Sequence, residues 1–276
     1  MAEIFADLLN FLLELCFSAA GVIGQDTIVT FAGAQSNYAQ IWTAATAVSN
    51  TIIEPIAVFI VMIYFMLAIM EKASSEHLSL ETMFKEVIKL CLGLYLVSNA
   101  VEIVVNLINL GNGVLQRVLG FMAVHSMPTD GIFTEAMFSN WNVIGNLLVV
   151  VVMVIILLIQ LILIVLMRCV VIVRLLEIAI RASMAPIALS DTFTGNLLNS
   201  HAVNFMRSFG GLCLQGVFIA IIADFMPLFW SGLLGNPGVD MWGIIAASLE
   251  MIVVLVAAVI LMFKSGSIAK EMMGGR

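Results

Sequence analysis

VIGNLLVVVVMVIILLIQLILIVLM, residues 143–167, contains no charged side chain from end to end. A helix crosses the ~30 Å hydrocarbon core of a bilayer with about 20 mostly apolar residues, and this run exceeds that length. Four further runs in the chain read the same way: 52–70 (IIEPIAVFIVMIYFMLAIM), 90–110, 208–230 and 242–263. Across all 276 residues the mean hydropathy is +1.14 and only 11% of side chains are charged. Those values lie outside the range of soluble domains. The fold class expected is therefore all-α, a polytopic membrane protein with five transmembrane helices.

Pro55 suits the first turn of the first span, where a missing N–H costs nothing. MPTDG (127–131) and GNPG (235–238) are turn signals between spans. No internal repeat or low-complexity linker divides the chain. The organisation expected is an extracytoplasmic segment over 1–50 and a five-span membrane domain over 51–276. The opening MAEIFADLLNFLLEL has no basic n-region, and Glu3, Asp7 and Glu14 interrupt its apolar residues, so it does not read as a signal peptide.

Basic residues set the orientation. With the N-terminus outside, Lys72, Lys85, Lys89, Arg168, Arg174, Arg181, Arg207, Lys264, Lys270 and Arg276 fall on the cytoplasmic side, and of the 11 Lys and Arg only Arg117 falls outside. The first 53 residues carry no Lys or Arg, which favours translocation of the N-terminal tail. The expected topology is N-out, C-in, in the cytoplasmic membrane.

This orientation assigns VRLLEIAIRASMAPIALSD (173–191) to the cytoplasmic side. As a sixth span, that stretch would hold Arg174, Glu177 and Arg181 in hydrocarbon at a cost of several kcal/mol each. A helix that prolongs the third span, or lies along the inner surface, avoids that cost. At 100° per residue the three charges share about a 60° arc, with Glu177 and Arg181 paired i,i+4 in the favourable order. Pro186 then ends the regular helix. The charged stripe reads either as an ion-paired solvated face or as a docking surface for a cytoplasmic partner or a neighbouring protomer, together with Pro186 and Arg207.

Inside the spans, Asn99, Glu102, Asn106 and Asn109 recur at spacings of three and four, a polar seam within about an 80° arc of one helix. Asp224 and Glu250 are the other membrane acids. Glu102, Asp224 and Glu250 each lie roughly 9–12 Å inside the outer boundary at 1.5 Å per residue. They read as the wall of a water-filled vestibule or lumen, or as groups satisfied across helix contacts. Against a selective ion site stands the lack of Gly/Pro-broken helices at matching positions. Near the N-terminus, Glu3, Asp7, Asn10 and Glu14 define an amphipathic helix outside the membrane, without the Lys and Arg that attract anionic lipid.

Cys16, Cys91, Cys169 and Cys213 are scattered singly, as are His77, His125 and His201. No Walker loop, GxSxG, HExxH or dinucleotide fingerprint occurs. No catalytic set, metal site or cofactor is expected, and the chain reads as a non-enzyme.

Two stretches carry a family resemblance: RASMAPIALSDTF (181–193) and NFMRSFGGLCLQGVFIAIIADF (204–225). They resemble the core of the TrbL-like conjugal transfer proteins, polytopic inner-membrane subunits of type IV secretion machines, in their Gram-positive-type short form. The matching positions are Arg181, Ala185, Pro186, Arg207, Gln215 and Gly216, and the stretch with Asn99 and Glu102 is similar as well. The similarity covers roughly residues 50 to 270. Better-known members have a large outer loop between the second and third spans, credited with contacting DNA, where this chain has only about 111–142.

The resemblance implies a non-catalytic channel and scaffold subunit within a homo-oligomeric ring. Its partners would be membrane lipid, other secretion subunits and ATPases, with transient contact to a single-stranded DNA–relaxase substrate. Under the expected topology the outer side holds 11 of the 18 acids and one base, against seven acids and ten bases on the cytoplasmic side. An acidic outer lumen repels phosphate, which favours a scaffold or gate over a DNA-gripping tube. A different class of function, a stand-alone ion or small-solute permease using Glu102, Asp224 and Glu250, is the alternative.

Overall fold

The computed structural model describes residues 7–8, 10–11, 39–74, 79–122, 143–191, 201–234 and 241–274, and every regular element among them is helical. The turns at 127–131 and 235–238 lie outside the described residues. So does most of the expected N-terminal amphipathic helix, of which Asp7 and Asn10 are described and helical.

α1 (Ala39–Val48) runs through a π-helical turn (Ser49–Ile53) into α2 (Glu54–Ser74). The helix therefore begins well before the expected position 52. Its hydroxyls allow this, because Thr43 donates to the Ala39 carbonyl at 2.8 Å and Thr46 to that of Trp42 at 3.0 Å. The wide turn falls just before Pro55, which cannot donate the helical bond to Thr51.

Ser79 starts α3 (Leu80–Ser98) with a capping box: its hydroxyl accepts from the Thr82 backbone N–H, and the Thr82 hydroxyl accepts from the Ser79 N–H. α4 (Ala100–Met122) follows at once, bent 62° from α3. The second span expected at 90–110 is thus not one helix. The Asn99 side chain donates to the Tyr95 carbonyl at 2.8 Å, the acceptor that its own backbone N–H also uses. An asparagine bonding its local backbone in this way competes with helix propagation.

α5 (Val143–Ser183) is a single helix of 41 residues, about 60 Å at 1.5 Å per residue. The expected third span and the charged stretch after it are one continuous element. The helix closes where Pro186 leaves the Ala182 carbonyl without its donor, and the six-residue α6 (Ala185–Ser190) follows through Met184. α7 (His201–Leu234) and α8 (Met241–Met272) both overrun their expected spans.

Among the described residues, four helical stretches are long and apolar enough to cross a membrane: 39–74, 147–183, 201–223 and 248–272. The bent pair α3–α4 makes a fifth if taken as one broken span.

By contacts the chain forms two compact units. One comprises 29–113, 174–214 and 267–276. One buried cluster in it is Ala57 and Val61 of α2 with Val97 of α3, covered by Val58, Leu90, Leu94 and Ile187. α6 packs on both α2 and α3, and its Ala185, Pro186, Leu189 and Ser190 are buried. An ionic knot joins the same two helices, with Glu86, only 3% exposed, accepting from Lys72 of α2 and from Lys89 at 3.1 Å.

The other unit comprises 1–28, 114–173 and 215–266. Met153 and Ile164 of α5, Ile219 of α7 and Leu255 and Met262 of α8 are buried in it. The Gln160 side-chain amide of α5 donates to the Ser248 carbonyl of α8 at 3.1 Å. Gln215 of α7 rests on Gly266 of α8, where a Cβ would lie 3.2 Å from its Nε2.

Candidate functional site

The charged stretch of α5 divides in two when its contacts are traced. Glu177 and Arg181 form the expected i,i+4 pair at 2.5 Å, half-exposed, and Arg181 also donates to the Ser208 hydroxyl of α7 at 2.6 Å. Arg207, one residue earlier on α7, is half-buried. Glu177, Arg181 and Ser208 therefore form one α5–α7 edge within a single unit.

Arg174 behaves differently. It is 3% exposed, and its guanidinium donates to the backbone carbonyls of Leu212 and Cys213 at 3.2 Å each. The expectation of one exposed stripe of three charges is corrected here. A guanidinium carries donors only, and each helical carbonyl keeps a lone pair beyond the one its own helix uses. Arg174 therefore turns inward along α7 rather than outward to solvent. Pro186, also expected on a docking face, is buried with α6 between α2 and α3.

Glycines make room for this junction. A Cβ on Gly211 would stand 3.1 Å from the Lys270 Cα and 3.2 Å from the Ala269 carbonyl of α8. On Gly111 of α4 it would stand 3.0 Å from the Cys213 Cβ. α7 is therefore met by α8, by α4 and by Arg174 of α5 over the four residues from Gly210 to Cys213. Sequence reasoning missed Ser208, Gly211 and the two carbonyls. The Gly210–Gly211 pair inside an apolar run was the available signal, since small residues mark close helix approach in membrane proteins.

The polar seam is only partly preserved. Glu102, Asn106 and Asn109 share the exposed face of α4, while Val104, Ile108 and Leu115 are its buried face. Asn99 is not on that face, because it is the bend itself. Glu250 of α8 is exposed, and the Asp224 side chain lies outside the described residues. Glu102 belongs to one unit, Asp224 and Glu250 to the other. Among the described residues no three His, Cys, Asp or Glu side chains group in a way that could hold a metal ion.

The family described as TrbL/VirB6 plasmid conjugal transfer like protein matches residues 13–186, well over half of the chain. No curated protein and no solved structure matches it. The matched stretch includes the polar face of α4 and Arg174, Glu177, Arg181 and Pro186, and it stops short of Arg207, Gln215 and Gly216, which carried part of the sequence resemblance. With several helices able to cross a bilayer and this match, the chain belongs to the TrbL/VirB6-like conjugal transfer family and is a multi-pass subunit of a conjugal transfer, or type IV secretion, system.

Proposed function

We propose that the chain is a non-catalytic channel and scaffold subunit that helps move a DNA–protein substrate across the cytoplasmic membrane. The observation that carries this reading is the family match over residues 13–186. The ten-to-one distribution of Lys and Arg supports an N-out, C-in arrangement of five spans, with α3 and α4 together forming the second. The first 50 residues then lie outside, and residues 51–276 form the membrane domain.

In that arrangement the Glu177–Arg181–Ser208 edge and Arg207 look into the cell, where partner ATPases or neighbouring protomers in a ring meet the subunit. Energy comes from those ATPases, because the sequence carries no nucleotide-binding loop. Eleven of the 18 acids on the outer side make the chain a scaffold or gate, with only transient contact to DNA.

An in-frame deletion of the gene tests the reading. Conjugal transfer is expected to fall below detection with growth unchanged, and to return when the gene is supplied in trans. Transfer at the parental level from the deletion strain would refute it.

A further inference from the structure

α7 and α8 do not pack evenly along their length. Where Gln215 of α7 rests on Gly266 of α8 the two helices touch. Further along the same pair, between residues 222–229 of α7 and 253–261 of α8, they leave a groove of about 320 Å³. Both stretches belong to one unit. Ala257 and Ala258 bring only methyl groups to the groove, and the exposed Phe225 and Phe229 wall it on the side of α7. Its lining holds no polar side chain. A water molecule needs two to four polar partners to settle in a cavity, so water does not fill this one.

The size of the groove narrows the choice of occupant. A cavity of about 150 Å³ accepts a six-carbon ring, so this one accepts about a dozen carbons. The eight residue steps from Val253 to Leu261 make it about 12 Å long. A neighbouring helix, about 10 Å across, is too thick to enter that space and could reach in only with single side chains. An extended hydrocarbon chain fits it.

The ends of the groove carry opposite charges. At 100° per residue, Glu250 and Lys264 fall within the same arc of α8, about 140° wide, as the lining residues, and both are exposed. They stand about 21 Å apart, and no charged side chain lies between them on α8. Lys264 follows directly on the apolar run that ends at Phe263, beside the Gln215–Gly266 contact.

We infer that this groove is a phospholipid site, holding one acyl chain of an anionic lipid with its headgroup phosphate at Lys264 and the chain running toward Glu250. An unfilled crevice forfeits dispersion contacts that hydrocarbon restores. Apolar burial alone selects no particular lipid, because the surrounding medium is itself hydrocarbon. Selection therefore falls to the charges. Lys264 attracts a phosphate at one end, and Glu250 repels it from the other, so the lipid enters in one direction. The inference rests on α7 and α8 lying in the membrane and not on the secretion role.

The test uses the full-length chain in vesicles of phosphatidylcholine and phosphatidylglycerol, each lipid in turn carrying a diazirine midway along one acyl chain. After illumination the modified peptides are mapped by mass spectrometry. Residues 222–229 and 253–261 are expected to be labelled severalfold more than the α2 face of Phe59 and Met66, each 65% exposed, which samples bulk lipid. Phosphatidylglycerol is expected to label the groove about fivefold better than phosphatidylcholine, the ~1 kcal/mol that one basic residue contributes toward anionic lipid. Lys264→Gln should remove that preference and Lys264→Arg should retain it. Ala257→Phe, which fills the groove from an exposed position, should bring its labelling down to the α2 level with the unfolding temperature unchanged. Equal labelling of groove and α2 face, equal labelling by the two lipids, or full labelling in Ala257→Phe would each overturn the inference. So would a groove closed to both lipids in which a benzoylphenylalanine at position 229 captures a second copy of the chain. None of these readouts needs transfer, so the lipid site and the secretion reading fail separately.

Discussion

Gln160 and Arg174 stand on the same helix and are almost equally removed from solvent, at 1% and 3% exposure. Both reach across to a neighbouring helix backbone, Gln160 to the Ser248 carbonyl and Arg174 to those of Leu212 and Cys213. Only one of them leaves an atom stranded, for the Gln160 Oε1 is buried with no partner. A helix packed among helices offers its neighbours spare carbonyl lone pairs and almost no spare N–H. A side chain made only of donors is suited to that surface, whereas an amide is half-suited. Within this fold a buried arginine is therefore the better-matched polar group, contrary to the intuition that charge ranks it the more costly one.

Four substitutions probe that contrast, each read as the unfolding temperature of the purified chain in detergent. Arg174→Ala is expected to have the largest effect, about 2–5 kcal/mol, from two lost charge-assisted bonds and the hole left behind. Arg174→Lys, which keeps the charge and loses the fork, should recover only part of it.

Next comes Gly211→Ala, expected to cost about 1–3 kcal/mol. Its Cβ would press on the Lys270 Cα at 3.1 Å and the Ala269 carbonyl at 3.2 Å, and backbone atoms cannot swing aside as a side chain does. No loss there would mean that the Gly210–Cys213 segment is looser than the Arg174 bonds require.

The smallest effect belongs to Gln160→Leu, within about 1 kcal/mol of the parent in either direction. The lost bond to Ser248 is offset by removal of a stranded acceptor. A drop matching that of Arg174→Ala would break the comparison outright.

Much of the architecture was legible in the chain because burial in lipid and burial in protein select the same residues. The charge-free run at 143–167 marked a spanning helix whatever surrounds it, and Glu177–Arg181 declared its pairing through spacing alone. What escaped was set by competition between near-equal local options. Ser98–Asn99 interrupts an apolar run that otherwise reads as continuous, and only the Asn99 bond to the Tyr95 carbonyl reveals the bend. Helical periodicity placed Arg174 beside Glu177 and Arg181 correctly, yet a 60° arc is wide enough to straddle an interface. Its inner edge meets the carbonyls of α7 while its outer edge stays half-exposed. The burial of Pro186 was likewise hidden, since a proline that ends one helix says nothing about where the next short one docks.

α6 also bears on how the protein is made. Ile187 completes a cluster whose other members, Ala57, Val61 and Val97, leave the ribosome at least 90 positions earlier in the chain. At synthesis rates of about 5–20 residues per second the α2–α3 hairpin waits roughly 5–20 s with that slot unfilled. Closure of this cluster is timed by the arrival of a six-residue plug.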